Sequence, residues 1–291
     1  MRRVLLQLDT DPHPSSFDSI VAVDAGVDVL LRYGSVTPGT VTPIVHGAIF
    51  TRGPADLKNT AIFIGGSDVA VGEAVRDAVK AAFFGPLRVS VLLDSNGANT
   101  TASAAVIRVG EHVRLADARC VVLAATGPVG RRVALLFALE GAEVVVTSRR
   151  LDRAEAVWKG VVERVPNAQG RPVQVATDQE LAQALEGASV VVASGAAGVR
   201  LLPEPLWVGR EGLKVVVDLN AVPPAGIEGV EPGDKGSEKH GVLCYGAVGV
   251  GSLKMKIHRA AIEQLFQAND QVLDAVEVYE LGKRLVKQPK Q

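Results

Sequence analysis

Cys120-Val-Val-Leu-Ala-Ala-Thr-Gly-Pro-Val-Gly-Arg-Arg-Val-Ala-Leu-Leu-Phe-Ala-Leu-Glu-Gly-Ala-Glu-Val-Val-Val-Thr-Ser-Arg-Arg150 reads as strand, glycine turn, helix, strand. That is the order of a dinucleotide-binding βαβ unit. Residues 121 to 123 are an apolar run without polar alternation, which suits a parallel strand buried on both faces. Gly127 lets the backbone approach a pyrophosphate. Pro128 fits the first helical turn, where its missing N–H costs nothing. Gly130 permits close helix–strand packing, and Thr126 and Val129 complete the turn. The helix N–H groups then point at the phosphates. Ala125 stands where the fingerprint has its first glycine. The second strand ends without the carboxylate that binds a ribose 2′-hydroxyl in NAD-selective sites. It ends instead on Ser148, Arg149 and Arg150. A hydroxyl and two guanidiniums suit a 2′-phosphate, because Arg binds phosphate with a planar fork. The expected cofactor is NADP, with NAD weaker.

Working outward, 291 residues are enough for two domains with sizeable cores. A net charge of −1 gives no electrostatic case for nucleic acid or an anionic membrane. The scarcity of aromatics argues against a base-stacking surface. The two cysteines, Cys120 and Cys244, match no metal or redox spacing and suit a reducing, cytoplasmic setting. The apolar part of the N-terminus is too short for a signal segment and reads as a first strand. No apolar run is long enough to span a membrane.

The predicted architecture is α/β. An N-terminal α/β substrate domain, residues 1–97, precedes a Rossmann-type, doubly wound parallel-sheet domain, residues 98–291, which carries the C-terminal helices. In the first domain strands are expected at 4–8, 29–31, 61–64 and 89–93. Helices are expected at 17–25, capped by Ser15 or Ser16, at 40–48, and at 69–84, capped by Asp68. Residues 94–101 read as a polar hinge before a bridging helix at 102–113. In the second domain, beyond the opening unit, helices are expected at 151–165 and 178–185, the latter capped by Asp178. Strands are expected at 173–175, 189–193 and 215–217. The strand ends at Ser194 and Asn220 open into loops of the kind that hold ligands in open parallel sheets. Residues 221–241 read as a long loop, 252–267 and 270–286 as helices, and 287–291 as a frayed tail.

Three places carry candidate chemistry. With Ser252 as a helix cap, Lys254 and Lys256 fall in the first turn, where cations oppose the helix dipole and an amine is depressed in pKa. The alternative is a surface lysine running past a helix start. Gly246 to Gly251 ahead of it reads as a cofactor or substrate contact. Asp18 lies near a helix N-terminus, which the dipole alone would also explain. His13, between prolines, reads as a loop residue. Asp94, Asn96, Asn99, Thr100 and Thr101 cluster at the hinge, with turn and cap chemistry as the alternative. His46, His112, His240 and His258 have no ligand-like partners, so no metal is expected.

Several motifs together carry a resemblance: Leu8-Asp-Thr-Asp11, Ser16-Phe-Asp18, Thr60-Ala-Ile-Phe-Ile-Gly-Gly66, Phe83-Phe-Gly-Pro86, Leu93-Asp-Ser-Asn-Gly-Ala-Asn-Thr-Thr101, Ala125-Thr-Gly-Pro-Val-Gly130, Asn220-Ala-Val-Pro-Pro-Ala-Gly-Ile227 and Leu253-Lys-Met-Lys-Ile-His-Arg259. In this order, over nearly the whole chain, they resemble the bacterial NADP-dependent methylene-tetrahydromethanopterin dehydrogenases of one-carbon (formaldehyde) metabolism. The resemblance implies two domains flanking a pterin cleft, in a homo-oligomer, trimer or hexamer. It implies a functional Lys254, with Phe17, Asp18 and Thr101 on the pterin side; Asp94, Asn96 and Thr100, read from the hinge cluster itself, are counted with them as substrate-binding candidates. It also implies that methylene-tetrahydrofolate or NAD is accepted by some members. Hydride loss from a carbon between two nitrogens leaves an amidinium cation that the substrate itself stabilises. An inventory without an obvious His or Cys is therefore no contradiction. Asp18 is expected to stabilise that cation, and Lys254 to orient the pterin. Two other readings stay open: an NADP-dependent dehydrogenase of the shikimate or amino-acid type, and a non-catalytic NADP(H) sensor.

Overall fold

The computed structural model describes residues 1 to 287. In chain order its first elements are β1 (Val4–Asp9), α1 (Ser16–Asp24), β2 (Val29–Tyr33), α2 (Val41–Ile49), β3 (Thr60–Gly65), α3 (Val69–Ala81), β4 (Ser90–Leu93) and α4 (Ala98–Gly110). There follow β5 (Arg119–Leu123), α5 (Pro128–Leu139), β6 (Glu143–Ser148), α6 (Leu151–Arg164), β7 (Gln169–Gln174), α7 (Asp178–Ala184), β8 (Val190–Ala193) and β9 (Val215–Asp218). The last are β10 (Lys235–Lys239), β11 (Val242–Tyr245), α8 (Ala247–Gln264), β12 (Val272–Leu273) and α9 (Ala275–Lys287). The tail expected at 287–291 lies, except for Lys287, outside the described residues.

The chain divides into two compact units, Met1–Thr100 with the chain from Met255 onward, and Thr101–Lys254. The first holds a five-stranded parallel sheet in the order β12-β4-β3-β1-β2. Counting β12 as the fifth strand, this is the doubly wound order 2-1-3-4-5, whose switch point lies between β1 and β3. Leu8, Ile64, Leu93 and Val75 are fully buried in its core. The second unit holds seven strands in the order β10-β11-β9-β8-β5-β6-β7. All pairs are parallel except β10 with β11. Strands β7-β6-β5-β8-β9 follow the dinucleotide-binding order 3-2-1-4-5, with the switch point between β5 and β8. Val121, Val191, Val216 and Trp207 fill its core.

The division differs from the expected one at 97/98. Val272 pairs with Val91, and Val91 N donates to Gln271 O at 2.8 Å, so the C-terminal segment completes the first sheet. A two-residue strand has no periodicity to read in a sequence. The hinge also differs. Helix α4 starts at Ala98, four residues earlier than expected, because the Asp94 carboxylate accepts from Asn99 N and Thr100 N, both at 3.0 Å. The 221–241 loop contains β10, which forms a hairpin with β11 through His240 and Gly241, both at positive φ (54° and 78°). Thr177, not Asp178, caps α7, in a capping box with Glu180.

The largest correction is at α8. It starts at Ala247, so Ser252 is no cap and its Oγ donates back to Gly249 O at 3.1 Å. Gly246 and Gly249 press on the backbone of 231–235: a Cβ at Gly249 would lie 1.8 Å from Asp234 O, and one at Gly246 2.0 Å from Glu231 O. Gly246 and Gly249 serve this close backbone approach, which lets the helix begin early, whereas a Cβ at Gly251 would meet nothing within 4 Å. Lys254 and Lys256 therefore sit beyond the first turn, where the dipole has faded.

Candidate active site

In the first unit, candidate chemistry gathers at the carboxyl ends of β1 and β3, the switch point. The buried Asp9 carboxylate closes β1, accepting from Asp11 N and Ser15 N, both at 3.0 Å. Ser15 caps α1, with Oγ accepting from Asp18 N at 3.2 Å. Gln7 Nε2 donates to Ser15 O at 3.1 Å, and Ser19 Oγ donates to Gln7 Oε1 at 2.8 Å. These bonds fix the first turn of α1 over the sheet and so place Phe17 and Asp18. Phe17 remains 49% exposed, unusual for a Phe held this firmly. Asp18 Oδ1 lies 3.9 Å from Nε2 of His258, which is fully buried and stacks on Phe63 at 5.5 Å. Phe17 and His258 lie 6.3 Å apart. Gly65 ends β3 beneath them; a Cβ there would lie 3.2 Å from Asp9 Oδ2 and 3.6 Å from Asp18 Oδ2.

The β4–α4 residues are built into the structure more tightly than hinge residues would be. Thr100 Oγ1 donates to Asp94 Oδ2 at 2.7 Å, and Asn99 Nδ2 to Asp274 Oδ1 at 3.0 Å. Asn96 is exposed at φ 54°, with its N–H donating to Gly66 O at 2.7 Å. Asp94 and Thr100 thus do cap work, while Asn96 stays at the surface. Thr101, half-buried one residue further along α4, belongs to the second unit.

The second unit brings the glycine turn and Ser194 together at its own switch point. Gly127 is the N-cap of α5, and no side chain caps it. The first-turn N–H donors are therefore not taken by a capping side chain, and a helix start of this kind suits an anion. A Cβ at Gly130 would lie 2.5 Å from Ser194 Oγ and 2.8 Å from Ala125 Cα, so only glycine closes this cradle. Ser194 Oγ donates to Leu123 O at 3.0 Å. The left-handed conformation of the turn falls on Ala124 (φ 52°), and Ala125 takes the first fingerprint position without it. Ala125 is fully buried and its N–H donates to Thr147 O at 2.9 Å, which ties the turn to the end of β6. Ala124 N donates to Thr147 Oγ1 at 3.3 Å. These residues fit a dinucleotide pyrophosphate.

Beyond β6, Ser148 Oγ accepts from Arg150 N at 3.3 Å. Arg149 and Arg150 are exposed, and Arg150 is engaged by Asp152 through two bonds, Nε to Oδ1 at 3.0 Å and Nη2 to Oδ2 at 2.6 Å. Asn220 is buried and shapes its own loop, donating to Pro224 O at 3.0 Å and accepting from Val222 N at 3.0 Å. Asp218 beside it is pushed up in pKa by burial, against backbone N–H bonds that include Asn220 and Ile227. Burial pushes up both thiols, Cys120 and, to about 11, Cys244, so neither is a ready nucleophile.

Sequence reasoning missed His258. It stands one helical turn from Lys254 on the same face of α8, a spacing of four that was available to read. Its partner Asp18 is 240 residues away in the chain, a proximity that no local pattern reveals.

Residues 16–96 match the family described as methylene-tetrahydromethanopterin dehydrogenase, N-terminal. The chain is 46% identical over 288 residues to the bifunctional protein MdtA of Methylorubrum extorquens, covering 98% of this chain and 99% of that one. It is 31% identical over 300 residues to the NAD(P)-dependent methylenetetrahydromethanopterin dehydrogenase of the same organism, covering 97% and 98%. Among solved structures, shikimate 5-dehydrogenase from Listeria monocytogenes, in complex with shikimate and NAD, superposes with TM-score 0.54 at 13% identity, covering 98% and 96%. Quinate dehydrogenase from Corynebacterium glutamicum gives 0.50 at 13%, covering 99% and 100%. At such identity the likeness is one of fold.

Proposed function

The chain belongs to the methylene-tetrahydromethanopterin dehydrogenase family, and from that premise we propose that it oxidises methylene-tetrahydromethanopterin to the methenyl form with NADP, in the one-carbon metabolism of formaldehyde. The observation that carries the reading is the exposed Phe17 beside the half-buried Asp18 at the first unit's switch point. An aromatic face and a carboxylate suit a flat pterin that becomes cationic as it reacts. When bound, a dinucleotide would supply the hydride acceptor. The turn at Gly127 and Gly130, with Thr126, Pro128, Val129 and Ser194, supports binding of its pyrophosphate, and Ser148, Arg149 and Arg150 support binding of its 2′-phosphate.

The reaction needs little proton transfer, so the residues act mainly by position. Phe17 holds the pterin plane. Asp18 faces the carbon between the two nitrogens, where its charge stabilises the developing amidinium more than the neutral substrate. Lys254, half-buried on α8, orients polar groups of the pterin. The enzyme is cytoplasmic in this reading; among the described residues no helix is long and apolar enough to cross a membrane. It works as a homo-oligomer. β2 is an edge strand, and near it Ile20, Val23, Leu31 and Tyr33 are exposed, an apolar surface that a second copy can cover.

The test is turnover by purified protein with NADP⁺ and either methylene-tetrahydromethanopterin or methylene-tetrahydrofolate. NADPH should form with the methanopterin substrate, and the folate arm tells whether methylene-tetrahydrofolate is also used. No turnover with either overturns the proposal. Turnover of a small hydroxy acid or amino acid instead would favour the shikimate-type reading.

A further inference from the structure

We infer that Asp152 is a residue that sets how strongly this chain prefers NADP over NAD: its carboxylate occupies the Arg150 guanidinium where a ribose 2′-phosphate would bind, so the protein carries its own competitor for that phosphate. The inference rests on the reading of Ser148, Arg149 and Arg150 as the 2′-phosphate site.

The local chain path brings the carboxylate there. The connection from β6 to α6 is Arg149 and Arg150 alone, between Ser148 and Leu151. Ser148 anchors it: Ser148 O accepts from Val175 N at 2.8 Å, and Ser148 Oγ accepts from Arg150 N at 3.3 Å. A link this short delivers the first turn of α6, with Asp152 in it, to the end of β6. The end of the second strand in a dinucleotide-binding unit is where the adenosine ribose is met. β6 itself ends without a carboxylate, yet one stands close by, four residues after Ser148, on an arginine.

The contact has the form of a phosphate contact. Arg150 Nε donates to Oδ1 at 3.0 Å and Nη2 donates to Oδ2 at 2.6 Å, so one edge of the guanidinium meets both oxygens. Arginine takes carboxylate and phosphate alike in this two-bond geometry. The same bonds hold the Asp152 carboxyl below its usual range, with the Arg153 N–H a smaller contributor. The helix dipole explains an acidic residue in a first turn, but not its grip on the fork of Arg150.

The two N–H groups of that edge serve one anion at a time, and the pair as a whole has no net charge to attract a phosphate. NADP⁺ must displace the carboxylate. NAD⁺, with a hydroxyl in place of the phosphate, leaves the pair intact. Apparent affinity falls in proportion to the fraction of molecules in which the binding group is free. Both side chains are exposed, so solvent screens the pair and Asp152 trims NADP⁺ binding without abolishing it.

The test is titration of NADP⁺ and NAD⁺ into the wild type, Asp152→Asn, Asp152→Ala, Arg149→Ala, Arg150→Ala and the double variant Arg150→Ala with Asp152→Asn. Asp152→Asn and Asp152→Ala should each tighten NADP⁺ binding about threefold or more, as expected if Arg150 is free about a third of the time or less. NAD⁺ binding should stay within about twofold of wild type. In the Arg150→Ala background the gain should vanish, because the contested group is gone. Glu155→Gln, which removes another exposed carboxylate of α6, should leave both affinities unchanged. Unchanged NADP⁺ binding in both Asp152 variants would overturn the inference. Weaker binding would overturn it too, by showing that Asp152 holds Arg150 ready for the phosphate. An undiminished gain without Arg150, or an equal gain in Glu155→Gln, would also overturn it, because either reports net charge alone. If Arg149→Ala and Arg150→Ala both keep wild-type NADP⁺ affinity, the 2′-phosphate reading fails first and Asp152 falls with it, an outcome distinct from a failure confined to the Asp152 arm.

Discussion

Arg149 and Arg150 are adjacent, both exposed, and unequal. Arg150 is already held by the two oxygens of Asp152, whereas no partner is seen for Arg149 among the described residues. An exposed ion pair is weak and screened by solvent, so a 2′-phosphate can compete for Arg150, but it must displace a carboxylate to do so. Arg149 has nothing to give up. Arg149→Ala should therefore weaken NADP⁺ binding by about 1.5–3 kcal/mol, roughly tenfold or more, the size of a lost charge-assisted hydrogen bond. Arg150→Ala should weaken it less, and neither should change NAD⁺ binding. Titration of both dinucleotides checks this, and tighter NAD⁺ than NADP⁺ binding by the wild type would contradict the 2′-phosphate assignment. The charges were legible in the sequence because a strand end in a βαβ unit marks where the ribose goes. The Asp152 clamp was not, since a carboxylate two residues on, before a helix, has no repeating pattern to expose it. Ala125 is the converse case. A departure from the fingerprint looks like a defect until the left-handed residue proves to be its neighbour Ala124.

At the scale of elements, α8 shows where local reading succeeds and where it fails. Its core-facing stripe was legible from the four-residue spacing of Leu253, Ile257, Ala261 and Leu265. Its start was not, because Gly246 to Gly251 looks like a loop unless one knows that the backbone of 231–235 lies against it. That correction removes the helix dipole as the reason for Lys254 and leaves position. Lys254 is half-buried and shares a face with His258, while Lys256 is exposed and about 200° around the helix from Lys254. Lys254→Ala should lower kcat at least tenfold, about 1.4 kcal/mol of barrier, and Lys256→Ala should change it little. Steady-state rates of the two variants decide, and the reverse order would assign the working lysine to position 256. With the dipole faded at this depth in the helix, the Lys254 effect should act through substrate orientation and appear in KM as well as kcat.

For the whole molecule, alternating strands and helices were legible as two α/β layers, because βα periodicity is local. Which strands neighbour which is not local, and β12, far along the chain, closes the edge of the first unit's sheet. Asp274, just after β12, binds Arg76 at 2.5 Å and accepts from Asn99 Nδ2 at 3.0 Å, with both ion-pair side chains less than one-fifth exposed (19% and 16%). Asp274→Ala leaves a partly buried guanidinium and the Asn99 amide without this partner. It should cost about 2–3 kcal/mol, seen as a fall of several degrees in melting temperature. An unchanged melting temperature would mean that the C-terminal segment adds little to the first unit. The candidate site follows the same division. Phe17, Asp18 and the glycine turn were legible from motifs beside strand ends, and the approach of His258 to Asp18 was not, because it depends on how distant segments meet.

The central claim is that this chain moves a hydride directly from the methylene carbon to the dinucleotide, with its residues holding position rather than relaying protons. The most direct measurement uses substrate carrying deuterium at the methylene carbon, unlabelled NADP⁺ and ordinary water, with the product dinucleotide examined by NMR or mass spectrometry. The account predicts deuterium at nicotinamide C4, on one face only, in equal amount to the methenyl product. Product dinucleotide carrying hydrogen from solvent, or reduced without matching methenyl product, would contradict it.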